Sequence, residues 1–130
     1  MFRHPGKLDV ATLLGELFRL TPAMQACSPL LGSWLLKGKS KEDALRYPVF
    51  DPNGASPAAL AVLSEALKDD VDPRIVSIWN GHTGDEGASL QYVARPAPEV
   101  SMLVLRAMSK AFASDWKAAS ELVKACVSIW

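Results

Sequence analysis

Arg74-Ile75-Val76-Ser77-Ile78-Trp79-Asn80, then Gly81-His82-Thr83-Gly84-Asp85-Glu86-Gly87, then Ser89-Leu90-Gln91-Tyr92-Val93-Ala94 decide the fold, with only Ala88 standing between the last two segments. The first is rich in β-branched and aromatic residues. The second is a polar loop carrying three glycines. The third alternates Leu90, Tyr92 and Ala94 against Ser89 and Gln91, the period of a half-buried strand. Two such runs joined by a short glycine loop read as a β-hairpin. Pro96 and Pro98 then break the chain, and Val100–Leu105, apolar at alternate and intervening positions alike, reads as a central strand.

Outward from the hairpin the periodicity turns helical. Asp9 can cap a helix over residues 9–20 whose stripe is Leu13, Leu14, Leu17 and Phe18. Thr21-Pro22 is expected to interrupt it, with a short turn through Met24 before Ser28-Pro29. Leu30–Leu36 is short, apolar and bounded by Pro29 and Gly38, which favours a strand. Ser40-Lys41-Glu42-Asp43 opens one short helix to Arg46, and Asp51-Pro52-Asn53-Gly54 is turn chemistry. Ser56-Pro57 starts the next helix, with Leu60, Leu63 and Leu67 inward and Pro73 forbidding continuation. A last helix follows Ser114-Asp115, with Trp116, Ala119, Val123 and Cys126 or Val127 as its expected inner face. The order of elements predicts an α+β fold: a mostly antiparallel sheet of about four strands packed by helices on one face, in a single domain over residues 1–130.

Length and charge exclude several classes. The 130 residues carry 14 basic and 14 acidic side chains, with 49% apolar residues. A chain of this size buries roughly two-thirds of its unfolded surface. Zero net charge argues against general attraction to nucleic acid or anionic lipid. Cys27 and Cys126 are no disulfide framework and are expected to be reduced, mostly buried thiols. No apolar stretch follows the basic N-terminus, and the longest uncharged run, Leu20–Leu36, is broken by Pro22 and Pro29. The expectation is a soluble, cytoplasmic protein without a membrane segment. Cys126–Trp130 is apolar to the last residue. This favours a piece of a longer protein over a short terminal strand that tucks Trp130 against the sheet.

Reactive constellations are sparse. His4, His82, Cys27 and Cys126 lack paired metal-ligand spacing. The twelfth position from Asp51 is Val62, which excludes an EF-hand. Gly81–Gly87 has neither the lysine nor the following helix of a phosphate loop. His82 beside Asp85 and Glu86 could serve general acid–base chemistry, but no third group is evident. No cofactor and no metal are expected. Charge, by contrast, is unevenly spread: net +3 over residues 1–47, −5 over 48–99 and +2 over 100–130. Glu65, Asp69, Asp70, Asp72, Asp85 and Glu86 form the candidate partner-binding set, an acidic surface for a basic partner. The tryptophans are core fillers on the plain reading and interface anchors on the sharper one.

Trp34-Leu35-Leu36-Lys37-Gly38-Lys39-Ser40-Lys41-Glu42-Asp43-Ala44-Leu45 fits a W-[YL]-x-K-G-x-S-x-x-x-A-L pattern, preceded by Leu20-Thr21-Pro22 through Pro29. Val76-Ser77-Ile78-Trp79-Asn80-Gly81 with Ala88-Ser89-Leu90 fits S-[IL]-W-N-G…A-S-L. In this order and spacing the blocks resemble the immunity protein 52 family of bacterial polymorphic toxin systems, over about residues 10–130. The resemblance implies an α+β protein, encoded beside a toxin that often has a restriction-endonuclease fold, which protects the producing cell by binding that toxin. Family members run longer than this chain. It implies structural roles for Trp34, Gly38, Trp79, Asn80 and Gly81, and no catalytic residue. The expected partner is therefore a cognate toxin, with no direct contact to nucleic acid or membrane. The alternatives are attachment to a non-catalytic part of the toxin through an apolar or tryptophan-bearing surface, a small enzyme using His82, and a structural subunit whose hairpin edge pairs with a second copy.

Overall fold

The computed structural model describes residues 9–37, 47–68, 74–96, 98–112 and 116–130. The expected short helix from Ser40 to Arg46 lies outside them, as does the expected cap at Ser114-Asp115. Helix α1 spans Val10–Cys27, β1 Leu35–Leu36, β2 Phe50–Asp51, β3 Gly54–Ala55, α2 Pro57–Ala66, β4 Arg74–Trp79, β5 Ala88–Ala94, β6 Met102–Ala107 and α3 Trp116–Ile129. The fold is α+β. A four-stranded antiparallel sheet has the order β1-β4-β5-β6, and β2 and β3 form a separate two-stranded hairpin.

The hairpin that organises the sheet pairs Val76 with Tyr92 and Ile78 with Leu90. These four side chains are buried and share one face, because directly opposed residues of antiparallel strands point the same way. Leu36 opposes Ile78 at one end of that face, and Leu103 and Leu105 oppose Tyr92 and Leu90 at the other. The helices cover it. Val10, Leu13, Leu14, Leu17, Leu20 and Met24 of α1 are all buried, each contributing about 1.5–3 kcal/mol by leaving water.

Helix α1 continues through the expected break at Thr21-Pro22. Proline lacks the N–H that would bond the carbonyl four residues back, which here is Phe18 O. The Thr21 hydroxyl donates to that same oxygen at 2.6 Å, so the orphaned acceptor is satisfied from inside the helix. Leu30–Leu36 is not one strand. The Ser28 hydroxyl accepts from Leu30 N–H and Pro29 leads a single 3₁₀ turn through Leu31, so only Leu35 and Leu36 reach the sheet. The turn at Asp51–Gly54 forms as expected, with Asn53 N–H donating to Asp51 Oδ1 at 2.8 Å. Ser56 caps α2 through Ala59 N–H. In that helix Ala59, with Leu67 just past its end, is buried; Leu60 and Leu63 are half-buried. The third long strand is an edge, not the centre of the sheet; none of its side chains is fully buried.

Helices α1 and α3 run antiparallel. Cys27 Sγ donates to Ala118 O at 3.3 Å near one end, and Trp130 Nε1 donates to Glu16 Oε2 at 2.8 Å near the other. Ala118 and Cys126 are two turns apart, about 12 Å along α3. Cys27 and Cys126 therefore sit beyond disulfide reach, and both are half-buried thiols. Burial pushes the Cys126 thiol above its usual value. Of the expected inner face of α3, Cys126 packs against the core as read, joined by Leu122, Ala125 and Ile129, whereas Trp116, Val123 and Val127 are exposed. The chain stays helical to Ile129, and Trp130 packs its ring edge-on to Tyr92 at 5.6 Å.

Replacing Thr21 by valine keeps the shape and leaves Phe18 O without its donor, so urea unfolding should show a loss of about 1 kcal/mol. Tyr92 gives a second test. Its hydroxyl donates to Glu16 Oε2 at 2.7 Å, and burial, then that hydrogen bond and the carboxylate's charge, raise its pKa well above the ordinary phenol value. The stability that this neutral phenol contributes is complete below about pH 10 and is lost as pH rises further, because the unfolded chain ionises first. In absorbance titration at 295 nm, the difference between wild type and Tyr92→Phe should therefore appear together with alkaline unfolding and not before it.

Candidate binding surface at the hairpin tip

Trp79-Asn80-Gly81, the middle of the second motif, ends β4 and starts the connection to β5. Asn80 is buried, and its side-chain amide makes four hydrogen bonds. Its Nδ2 donates to Leu30 O at 3.1 Å and Glu86 O at 2.8 Å. Its Oδ1 accepts from His82 N–H at 3.2 Å and Ala88 N–H at 2.9 Å. Two donors and two acceptor sites are all that an asparagine amide has. One side chain thus joins the 3₁₀ turn after α1 to both ends of the connecting loop. No shorter polar residue could span these partners, and an apolar one would leave four backbone groups, one buried and three part-buried, without them.

The loop backbone bends as those bonds demand. Gly81 has φ +79° and Gly84 +64°, the left-handed region that side chains avoid. A Cβ at Gly81 would also stand 3.1 Å from Leu35 Cδ1. Residues Gly84–Glu86 form a 3₁₀ turn, and Lys110 N–H donates to Asp85 O at 2.8 Å, tying the tip to the chain after β6. Asp85 and Glu86 are exposed on this turn. The Glu86 carboxylate stands 3.5 Å from His82 Nδ1, and both side chains are about half exposed.

Beside the tip, on the face of the sheet away from α1, lies a shallow groove of about 500 Å³. Lys37, Trp79, His82, Arg106 and Met108 line it. Register explains the grouping: Leu35, Trp79, Ser89 and Arg106 oppose one another across all four strands. The tip is therefore a mixed surface. Its two acids border two cations, an indole and a thioether.

Of the six expected partner-binding acids, the structure brings Asp85 and Glu86 together. Glu65 lies on α2, exposed, with its carboxylate 2.7 Å from Lys68 Nζ. Asp69, Asp70 and Asp72 fall outside the described residues, as does Gly38 of the expected structural set. The other members of that set are ordered by clear contacts. Trp34 is buried, donates from Nε1 to Leu31 O at 2.9 Å and accepts Val49 N–H at its carbonyl. Trp79 is half-buried in the outer row. Arg106 and Met108 were not singled out from sequence; the hairpin register alone carries them to the tip, and no local pattern marks them. Among the described residues no group of three or more His, Cys, Asp or Glu side chains is placed to hold a metal ion, and no helix is long and apolar enough to cross a membrane.

No family model matches the chain, and no curated protein matches it.

Asn80→Ala should lower stability by about 1–3 kcal/mol, since it leaves one buried and three part-buried backbone groups without these partners. Asn80→Asp should cost at least as much at neutral pH, because an oxygen would then face Leu30 O and Glu86 O. Chemical denaturation of the two variants checks both values, and a loss under 1 kcal/mol in either contradicts the assigned role.

Proposed function

We propose that this chain is an immunity protein that binds and neutralises a cognate secreted bacterial toxin in the cytoplasm of the producing cell, acting by binding alone. The partner class rests on the resemblance of residues 34–45 and 76–90 to the immunity protein 52 family, which points to a nuclease of restriction-endonuclease fold. One observation carries the reading: Asp85 and Glu86 are held on a turn whose backbone Asn80 fixes from both sides. Rigid presentation lowers the ordering cost of association. A nuclease must offer a basic cleft to phosphate, and carboxylates already in place can occupy it. Trp79, Arg106 and Met108 beside them belong to the residue types enriched in protein interfaces. Among the described residues the candidate surface is the hairpin tip, where Asp85 and Glu86 stand beside Lys37, Trp79, Arg106 and Met108.

The test pairs the purified chain with the secreted nuclease encoded beside its gene. Titration calorimetry and DNA cleavage should show one-to-one binding with loss of cleavage. Asp85→Lys with Glu86→Lys should weaken binding by about 10–100-fold and flatten its salt dependence, the mark of a lost charge-pairing contribution. Glu65→Lys, at a carboxylate already engaged by Lys68, should leave affinity unchanged. Equal affinity and salt slope for wild type and the double reversal would overturn the assignment of the tip.

A further inference from the structure

The side of the molecule formed by α3 and β6 offers two incomplete surfaces next to each other. On α3 the apolar arc is wider than the core requires. Leu122, Ala125, Cys126 and Ile129 face inward, while Trp116 (75% exposed), Val123 (62%) and Val127 (75%) form a second stripe in solvent. At helical spacing this stripe falls on one side, with Ala119 and Ser120 between its large members. Lys117, Glu121 and Lys124 lie off it. On β6 the unsatisfied groups are backbone. Met108 N–H donates to Gly87 O, which makes every second pair from there, Arg106–Ser89, Val104–Gln91 and Met102–Val93, hydrogen-bonded towards β5. The N–H and C=O of Leu103, Leu105 and Ala107 therefore point away from β5, and no strand takes them among the described residues.

We infer that this side binds a second copy of the same chain, β6 against β6 and α3 against α3, about one two-fold axis. Three features select a second copy over an unrelated strand or helix. The outward-facing edge residues are centred on Leu105, so a two-fold there pairs Leu105 with its counterpart and Leu103 with Ala107 of the second copy. All of these residues have outward-facing backbone groups, and each strand satisfies the other. The stripe on α3 is centred between Ser120 and Val123, and Ala119, Leu122 and Val123 line a groove of about 320 Å³ with Leu105 and Ala107. The midpoints of the two elements thus stand side by side, and one axis serves both. It sets Trp116 against Val127 of the second copy, large against small, and Arg106 against Val104 rather than against its own counterpart. Finally, the contact closes. The opposite edge of the sheet, β1, is two residues long and is already bridged by Pro48, so pairing through β6 cannot propagate into a fibre.

The area is that of a weak dimer. A 14-residue helix is about 21 Å long, and helix and strand edge together are about 20 Å wide. That footprint, on the order of 400 Å² per partner or about 800 Å² in total, lies at the small end, where association is weak and reversible. The chain's formal net charge of zero adds no long-range repulsion between copies.

Light scattering coupled to gel filtration tests this on the purified 130-residue chain. At about 100 μM, ten times a Kd on the order of 10 μM, the mass should be close to twice 14.0 kDa. Dilution should return the monomer and shift Trp116 fluorescence to the red. Val123→Glu with Val127→Glu changes only exposed positions. It should raise the dimer Kd at least tenfold while the circular dichroism spectrum and unfolding midpoint stay those of wild type. Val62→Glu, an exposed apolar site on α2, should leave the dimer intact. A monomer at that concentration, an open-ended aggregate, or a dimer indifferent to the α3 variant overturns the proposal. So does a chain that covers Trp116 only when a different protein is added.

Discussion

The structure depends on one primary amide. Asn80 stands where the end of β4, the start of β5 and the turn after α1 converge, and it answers four backbone groups that regular pairing leaves over. Buried peptide groups without partners cost more than most single contacts return. The loop shape, the approach of Leu30 to the sheet and the outward position of Asp85 therefore follow from this side chain. Gly81 and Gly84 stand where the loop backbone takes left-handed bends between those bonds.

Around this point the molecule divides its surfaces by chemistry. The hairpin tip is stiff, charged and mixed in sign, a surface suited to selecting a partner by electrostatic pattern. The side formed by α3 and β6 is apolar and carries unpaired backbone, a surface suited to burial. The two lie on different parts of the sheet but share β6, whose Arg106 belongs to the tip groove while Leu103, Leu105 and Ala107 turn towards the free edge.

What was legible in the sequence was local chemistry with local partners. Asp9 capping through Thr12 N–H, the Asp51 turn, Ser56 before Pro57 and the alternation of β5 need only near neighbours, and all appear as read. What was not legible depended on contacts between distant segments. Pro22 passes through α1 because a neighbouring hydroxyl replaces its missing donor, which no helix-breaking rule includes. Leu30–Leu36 has strand composition, but Ser28 and Pro29 turn its first half and leave only two residues to pair. Val100–Leu105 looked central because both faces are apolar; it is an edge whose apolarity awaits a neighbour. Of the residues expected on the inner face of α3, Cys126 is there and Trp116, Val123 and Val127 are not, since an apolar arc spanning more than half the helix cannot say which part meets the core. At the candidate site, Asp85 and Glu86 were legible as loop acids, whereas Arg106 and Met108 join them only through register.

Native-state hydrogen exchange at the tip tests the central claim most directly. If Asn80 holds the loop as one body with the sheet, the Ala88, His82 and Lys110 amides should exchange with protection close to that of the paired β4 and β5 amides, and Asn80→Ala should remove it at all three. Exchange of these three amides at the rate of an open loop, while the strands remain protected, would contradict the account, because the tip would then have no fixed shape to present.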